Sequence, residues 1–304
     1  MPQSPFAGKR HLEIAVARGF KQWISCGGGG PHASNSMYQE TIAPIAPPGM
    51  RAGGQAASAE RGWPIFVISL ADAEARRAPL LGQLASMGLD HEIVAAIDGR
   101  RGLPPEYERY IDRAGTMRIL GRRMADAEYA CALTHHFIYR RVLDEGLPGA
   151  VVLEDDAILG PGFAAFVASG AYRSGDLILL DHGPAHIWPF SSRTLTPDAK
   201  AGRVSLNPSL GTGYSVSADG CRYLACKSLP ITSPADWPCD IVRLGAWAAY
   251  PRLVDHPAPG VSHIQKARLQ EIGDRSGRGW LSAGRRYLRR QWRSIIKRLS
   301  VRIS

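Results

Sequence analysis

Four apolar residues, Ala150-Val151-Val152-Leu153, run directly into three carboxylates, Glu154-Asp155-Asp156, before the chain turns apolar again at Ala157-Ile158-Leu159. The apolar part reads as the end of a buried, central strand. Carboxylates are costly to bury without partners, so three at the tip of a core strand need something to balance them. A divalent cation is the simplest partner, because hard cations take oxygen ligands and also bind phosphate groups. The other reading is an exposed strand end whose acids cap the next helix or pair with Arg. Spacing alone leaves both open.

A second apolar run, Pro64-Ile65-Phe66-Val67-Ile68-Ser69-Leu70, has the continuity of a strand covered on both faces. Ala71 to Met87 follows as a helix, with Leu80, Leu81, Leu84 and Met87 at helical spacing and Gly88 as its stop. His91 to Ile97 is a second strand closing on the turn pair Asp98-Gly99. This is a βαβ unit, and α/β sheets place ligands at such strand ends.

Ala125 to Glu145 reads as a long helix centred on Cys131-Ala132-Leu133-Thr134-His135-His136. A histidine there is either a satisfied core residue or a donor facing a ligand. Pro148-Gly149 then turns the chain into the central strand. Beyond the acids, Gly162 to Ser169 and Asp219 to Lys227 are expected as helices. Asp176 to Leu180, Gly213 to Ser217 and Ala248 to Val254 are expected as strands, with Asp181-His182 and Asp255-His256 at strand ends. The segment 184–210, rich in Pro, Gly, Ser and Thr, reads as a long loop forming a lid or acceptor rim. Residues 100–123 read as irregular and basic, either beside a phosphate-bearing ligand or as a solvated insert.

Length and charge bound the rest. The 304 residues, 45% hydrophobic and 21% charged, have the composition of a soluble globular chain with one large α/β domain or two small ones. The five Cys lack zinc spacing, so reduced thiols are expected. No apolar run approaches the roughly 20 residues of a membrane span. Of the net charge of +10, all resides at the end: ten Lys/Arg and no Asp or Glu follow Asp274, leaving 27 of each sign before it. A neutral body with a basic appendage argues against a nucleic-acid-binding core. Residues 1–62, with Gly27–Gly30 and a Pro-rich stretch, are expected to be weakly structured, or to precede an internal start such as Met50.

From Gly279 the tail places Leu281, Leu288, Trp292, Ile295, Ile296, Leu299 and Ile303 within an arc of roughly 100° at the helical period. Arg286, Arg290, Arg293 and Lys297 fall opposite. Such a helix suits an anionic membrane surface through 279–304, a helix packed on the main domain, or a solvated end; the first is favoured.

With these pieces placed, the chain resembles glycosyltransferase family 25, the lipopolysaccharide and lipooligosaccharide galactosyltransferase type. The likeness rests on Ile65–Leu70 with Arg76-Arg77, on Val94–Gly99, and on Glu128–His135 followed by Gly149–Asp156. Gly211–Tyr214, Leu229-Pro230-Ile231 with Asp236-Trp237, and Ser262-His263-Ile264 complete the ordered set. Departures fall at Ser69, where the family usually has Asn, at Ala130, where it has Gly, at Thr134, where it has Ser, and at Ala235.

The resemblance implies an α/β catalytic domain over 63–264 of GT-A type: a mixed, mostly parallel sheet flanked by helices, with the C-terminal amphipathic helix in a basic tail over 265–304. It implies a UDP-sugar donor, a hexose such as galactose, Mn²⁺ or Mg²⁺, inversion at the anomeric carbon and a glycolipid acceptor. An enzyme with such a tail is expected in the cytoplasm, peripheral on the inner membrane face. Asp156 is expected as metal ligand, with Glu154 or Asp155 as second ligand or ribose contact; strand alternation would put Glu154 and Asp156 on one side. Asp98 would hold the nucleoside, and Thr134, His135 and Arg76 or Arg77 would face the diphosphate. Asp236 is the expected base for the acceptor hydroxyl, with Asp240 in reserve. Competing readings are a membrane-tethered module that binds nucleotide or glycan without turnover, and a phosphohydrolase.

Overall fold

The computed structural model describes residues 62–257 and 291–304. The readings placed on residues 1–61 and 258–290 lie outside them, including the tail pattern before Gln291.

The strands are β1 (Ile65–Ser69), β2 (Glu92–Ala95), β3 (Gly149–Glu154), β4 (Ile158–Leu159), β5 (Leu177–Leu179), β6 (Ala185–Ile187), β7 (Arg193–Thr196), β8 (Ala199–Leu206), β9 (Gly213–Ser217), β10 (Trp247–Tyr250), β11 (Val254–Asp255) and β12 (Val301–Ile303). The α-helices are α1 (Glu74–Ser86), α2 (Arg113–Leu120), α3 (Asp126–Asp144), α4 (Phe163–Ala168), α5 (Ala218–Ser228) and α6 (Ile241–Leu244). One sheet runs in the order β12-β6-β8-β10-β5-β9-β3-β1-β2, with β7 on β8; β4 and β11 form a small separate pair. β1 pairs in parallel with both β2 and β3, and β10 with β5. β9 is inserted antiparallel between β3 and β5. The sheet is therefore mixed, with most of its strands pointing one way.

β1 shows why this sheet lies at the centre. All five of its residues are buried, and alternation sends them to opposite layers. Phe66 and Ile68 join Ile138 and Val142 of α3 in one core cluster. Ile65 and Val67 join Leu80 and Leu84 of α1 in another. A strand sandwiched between helices has no polar face, so its sequence is apolar throughout. The chain leaves β1 for β2 on one side and returns to β3 on the other. That reversal opens a crevice at the strands' carboxyl ends, where the three acids follow β3.

Three expectations are corrected. Residues 184–210 are not a loop: β6, β7 and β8 occupy most of them, and β8 is the longest strand described. Its small residues misled the reading, yet they are required by packing. A Cβ on Gly202 would come within 2.3 Å of the Ile187 side chain. Residues 100–123 are not irregular either. Pro105–Tyr110 form a 3-10 turn, and α2 is capped by the Asp112 carboxylate, which accepts from Gly115 N at 2.7 Å. In the tail, residues 291–299 are helical, but the helical period does not extend to Ile303. Val301–Ile303 pair antiparallel with β6 and close that sheet edge. No helix of the described residues is long and apolar enough to cross a membrane.

Candidate functional site

Strand alternation ends at Glu154. The next two acids lie in a turn closed by Ala157 N donating to Glu154 O at 3.0 Å, so the three carboxylates separate. Asp155 and Asp156 converge on Arg76 of α1, at 3.1 and 2.6 Å. Asp155 also accepts from the Ser69 hydroxyl at 2.9 Å, the hydrogen bond that the serine at the end of β1 supplies. Glu154 instead faces His135 of α3, with 3.5 Å between Oε1 and Nε2. The expected pairing of Glu154 with Asp156 on one side gives way to Asp155 with Asp156, because a turn replaces the strand at that point.

Electrostatics differ accordingly. Burial raises the Asp155 carboxyl above its ordinary value, against the pull of Arg76 and Ser69. Burial is also the largest influence on Glu154, but His135, Arg76 and His256 together hold it below the ordinary value. Asp156 Oδ2 is held by Arg76, while its Oδ1 is buried without a hydrogen-bond partner. A buried carboxylate oxygen without a donor is a place for a cation or a ligand proton.

The other expected site residues are distributed as follows. Arg77 donates to the Leu70 carbonyl at 3.0 Å and to the Ser69 hydroxyl at 3.4 Å, bracing the β1–α1 connection; the arginine in contact with the acids is Arg76. Asp98 accepts from the Arg100 backbone and guanidinium, and Arg100 reaches on to Asp72. Gly99 beside it permits close approach to α3, since a Cβ there would lie 2.6 Å from Asp126 O. Thr134 is buried and bonded within the fold, accepting from Ile97 N at 3.0 Å and donating to Ala130 O at 2.8 Å.

Asp236 is exposed in the 231–240 segment. Neighbouring Pro234, Ala235 and Pro238 line a crevice with Ala132, His135 and Tyr139 of α3. The charges of Glu154 and Asp236 both bear on the Cys131 thiol, whose proton burial already holds firmly. The segment carrying the expected base is thus brought against the helix that faces Glu154. Trp237 is buried, with its ring edge-to-face on Tyr214 at 5.5 Å and a backbone φ of 70°. It packs the core rather than presenting a face for a sugar. Asp240 caps α6 by accepting from Val242 N at 3.2 Å.

Four arginines of 100–123, namely Arg100, Arg113, Arg118 and Arg122, are tied to the fold's own acids. Arg113 meets Glu108 and Asp126, and Arg118 meets Asp112. Arg122 grips the buried Glu128 through both guanidinium nitrogens at 2.7 Å.

A group that sequence reasoning left unassigned stands next to the acids. Asp181, fully buried beyond β5, meets His256 Nδ1 at 3.0 Å, and Asp255 lies close by. Burial raises the Asp181 carboxyl, and Thr212, His256 and Arg252 oppose it. Thr212 also joins the two groups, because its carbonyl accepts from Glu154 N at 2.8 Å. The signal was a repeated Asp-His pair after a strand, at 181–182 and 255–256.

Residues 63–196 match the sequence model of glycosyltransferase family 25, described as an LPS biosynthesis protein family. The chain is 26% identical to the lacto-N-neotetraose biosynthesis glycosyltransferase LgtB of Neisseria gonorrhoeae, over 59% of this chain and 66% of that protein. It is 25% identical to LgtE of Neisseria meningitidis serogroup B, over 66% of this chain and 71% of that one. The chain thus spans about two thirds of the length of these relatives. A probable inactive glycosyltransferase 25 family member 3 of Rattus norvegicus is 34% identical over 30% of this chain and 17% of its own length. Over residues 63–196, the chain is therefore similar to glycosyltransferase family 25.

Proposed function

We propose that the chain is a glycosyltransferase that moves a hexose, galactose first among them, from a UDP-sugar to a lipid-linked surface glycan such as lipooligosaccharide. The observation that carries this reading is the acidic turn at the β1/β3 crevice, with a buried, unpartnered Asp156 Oδ1 beside Arg76. Relatives named for lacto-N-neotetraose and lipooligosaccharide biosynthesis support the acceptor class.

The residues present fit a divalent ion. Asp156 offers an open carboxylate oxygen, and Glu154 lies one turn away. A bound Mn²⁺ or Mg²⁺ would offset the charge that develops on the departing nucleoside diphosphate. Arg76 is placed to add a guanidinium to the same phosphates. Asp98, three residues beyond β2, would receive the nucleoside. Asp236 would accept the proton of the attacking hydroxyl, as inversion in a single displacement requires. Asp240 is the weaker candidate because its carboxylate already caps α6.

The lipid-linked acceptor would be met at an anionic membrane surface on the cytoplasmic side. Support comes from Trp292, Ile295 and Leu299, which are 58%, 46% and 54% exposed beside exposed Arg293, Lys297 and Arg298. Because β12 closes the sheet edge, the test is Trp292→Ser with Leu299→Ser rather than a deletion. The double variant should lose sedimentation with anionic liposomes; unchanged sedimentation removes the membrane role.

A second reading is a module that binds nucleotide or glycan without turnover, favoured by the inactive relative and the departures from the family pattern. At Ser69, one of these departures, the hydroxyl donates to Asp155 at 2.9 Å. A screen of nucleotide sugars for UDP release, with and without Mn²⁺, separates the two. Metal-dependent release with one donor supports the enzyme; no release from a folded protein that still binds UDP supports the module.

A further inference from the structure

Cys131 and His135 are one helical turn apart on α3, so their side chains stand on one face, and that face looks onto Glu154. One thiol sulfur, one imidazole nitrogen and one carboxylate oxygen all lie within 4.8 Å of one another. The imidazole is oriented from behind. Its Nδ1 is 2.8 Å from the Tyr214 hydroxyl, and that hydroxyl donates onward to Tyr139. Tyr214 therefore accepts from Nδ1–H, which leaves Nε2 as a bare lone pair.

His135 is only 3% exposed, and its Nε2 has no hydrogen-bond partner. What faces it is another acceptor, Glu154 Oε1, at 3.5 Å. A buried imidazole nitrogen and a carboxylate oxygen facing each other at this distance are held together by a cation between them, either a proton or a metal ion. The spacing suits one. Tetrahedral zinc with N and O ligands at about 2.0–2.2 Å has ligand–ligand edges of about 3.3–3.6 Å, and a thiolate at about 2.3 Å lengthens its edges slightly. An outer hydrogen bond from the second ring nitrogen is the usual accompaniment of a ligating histidine.

We propose that Cys131, His135 and Glu154 form a binding site for a zinc-class divalent cation, with a fourth position open to water. The mixed S, N, O donor set selects a borderline or soft ion over Mg²⁺. It leaves the all-oxygen edge at Asp156 to the donor's own metal. Binding replaces the thiol proton with the metal, and that proton passes to solvent. The acidic surroundings of the thiol, Glu154 and Asp236 among them, oppose a free thiolate but attract a cation.

Titration of the full chain with Co²⁺ tests this, because cobalt bound to thiolate gives an absorption band that oxygen-only sites lack. One equivalent of Co²⁺ should produce the band, and Zn²⁺ should abolish it. Cys131→Ser and His135→Ala should each weaken cobalt binding at least 10-fold, whereas Asp156→Asn should leave the band unchanged. Circular dichroism of each variant verifies folding. Absence of the band in the parent chain overturns the site and leaves a proton shared between His135 and Glu154. A band that survives Cys131→Ser places cobalt on another thiol and overturns it equally, as does one untouched by His135→Ala.

Discussion

His135 and His136 are consecutive residues of one helix, both 3% exposed, and they do opposite things. His136 turns toward α5, where its Nδ1 meets the Ser228 hydroxyl at 2.7 Å. Burial pulls its pKa down to about 4, so it is a neutral, satisfied core group at neutral pH. His135 turns toward the crevice and sets an unpartnered nitrogen against a carboxylate. Burial therefore does not distinguish these two histidines, but pairing does, since His136 is satisfied where His135 Nε2 is not. The same contrast divides Arg100, Arg113, Arg118 and Arg122 of the 100–123 segment, which are matched by internal acids, from the acidic turn, where Asp156 keeps an unmatched oxygen.

The comparison can be broken at His136 by pH. Its folded pKa lies below the ordinary value of 6.5, so protonation favours the unfolded chain. The stability held by neutral His136 is fully present above about pH 6.5 and is lost as pH falls toward 4, by about 3 kcal/mol. Urea midpoints at pH 7 and pH 4.5 should converge in His136→Gln relative to the parent. Equal pH dependence in both would show that His136 is not the buried neutral group described.

At His135 the expected loss is catalytic. His135→Ala should reduce donor turnover roughly 10–100-fold, since it removes the group that faces Glu154, while His136→Gln leaves turnover at pH 7 unchanged. Similar losses in both variants would erase the distinction between the two faces.

Thr134 adds a third direction on the same helix, toward β2. Thr134→Val leaves Ile97 N–H without its acceptor and should cost about 1–2 kcal/mol. Donor KM should stay unchanged, and a several-fold rise would instead put the hydroxyl on the diphosphate. The smallest effect is expected at Asp98. Its ion pair with Arg100 is exposed, so Asp98→Asn should change stability by less than about 1 kcal/mol. If Asp98 holds the nucleoside, donor KM rises several-fold; an unchanged KM removes it from the site.

Much of this was legible because central parallel strands advertise themselves. Ile65–Ser69 and Gly149–Glu154 are apolar on both faces, and α3 carries long-range helical spacing, so the βαβ unit and the acidic turn could be placed from residues alone. β8 could not, because Ala199, Ala201 and Gly202 carry little hydrophobic signal, and the packing reason for Gly202 is visible only once Ile187 is opposite. The tail's last strand was hidden for a different reason: Val301–Ile303 is too short to show a period of its own. Within the site, the choice between Arg76 and Arg77 depends on the roughly 100° between adjacent helix positions, which only docking of α1 fixes. The Asp181–His256 contact joins residues 75 apart, beyond any local pattern.

The central claim is that the acidic turn holds a metal-bound nucleoside diphosphate through Asp156. Calorimetric titration of UDP into the full chain, with Mn²⁺ and with EDTA, measures it directly for the parent and for Asp156→Asn. Binding in the parent should depend on Mn²⁺ and weaken more than 10-fold in the variant, with the fold intact. Binding of equal strength in both proteins, or binding indifferent to Mn²⁺, would contradict it.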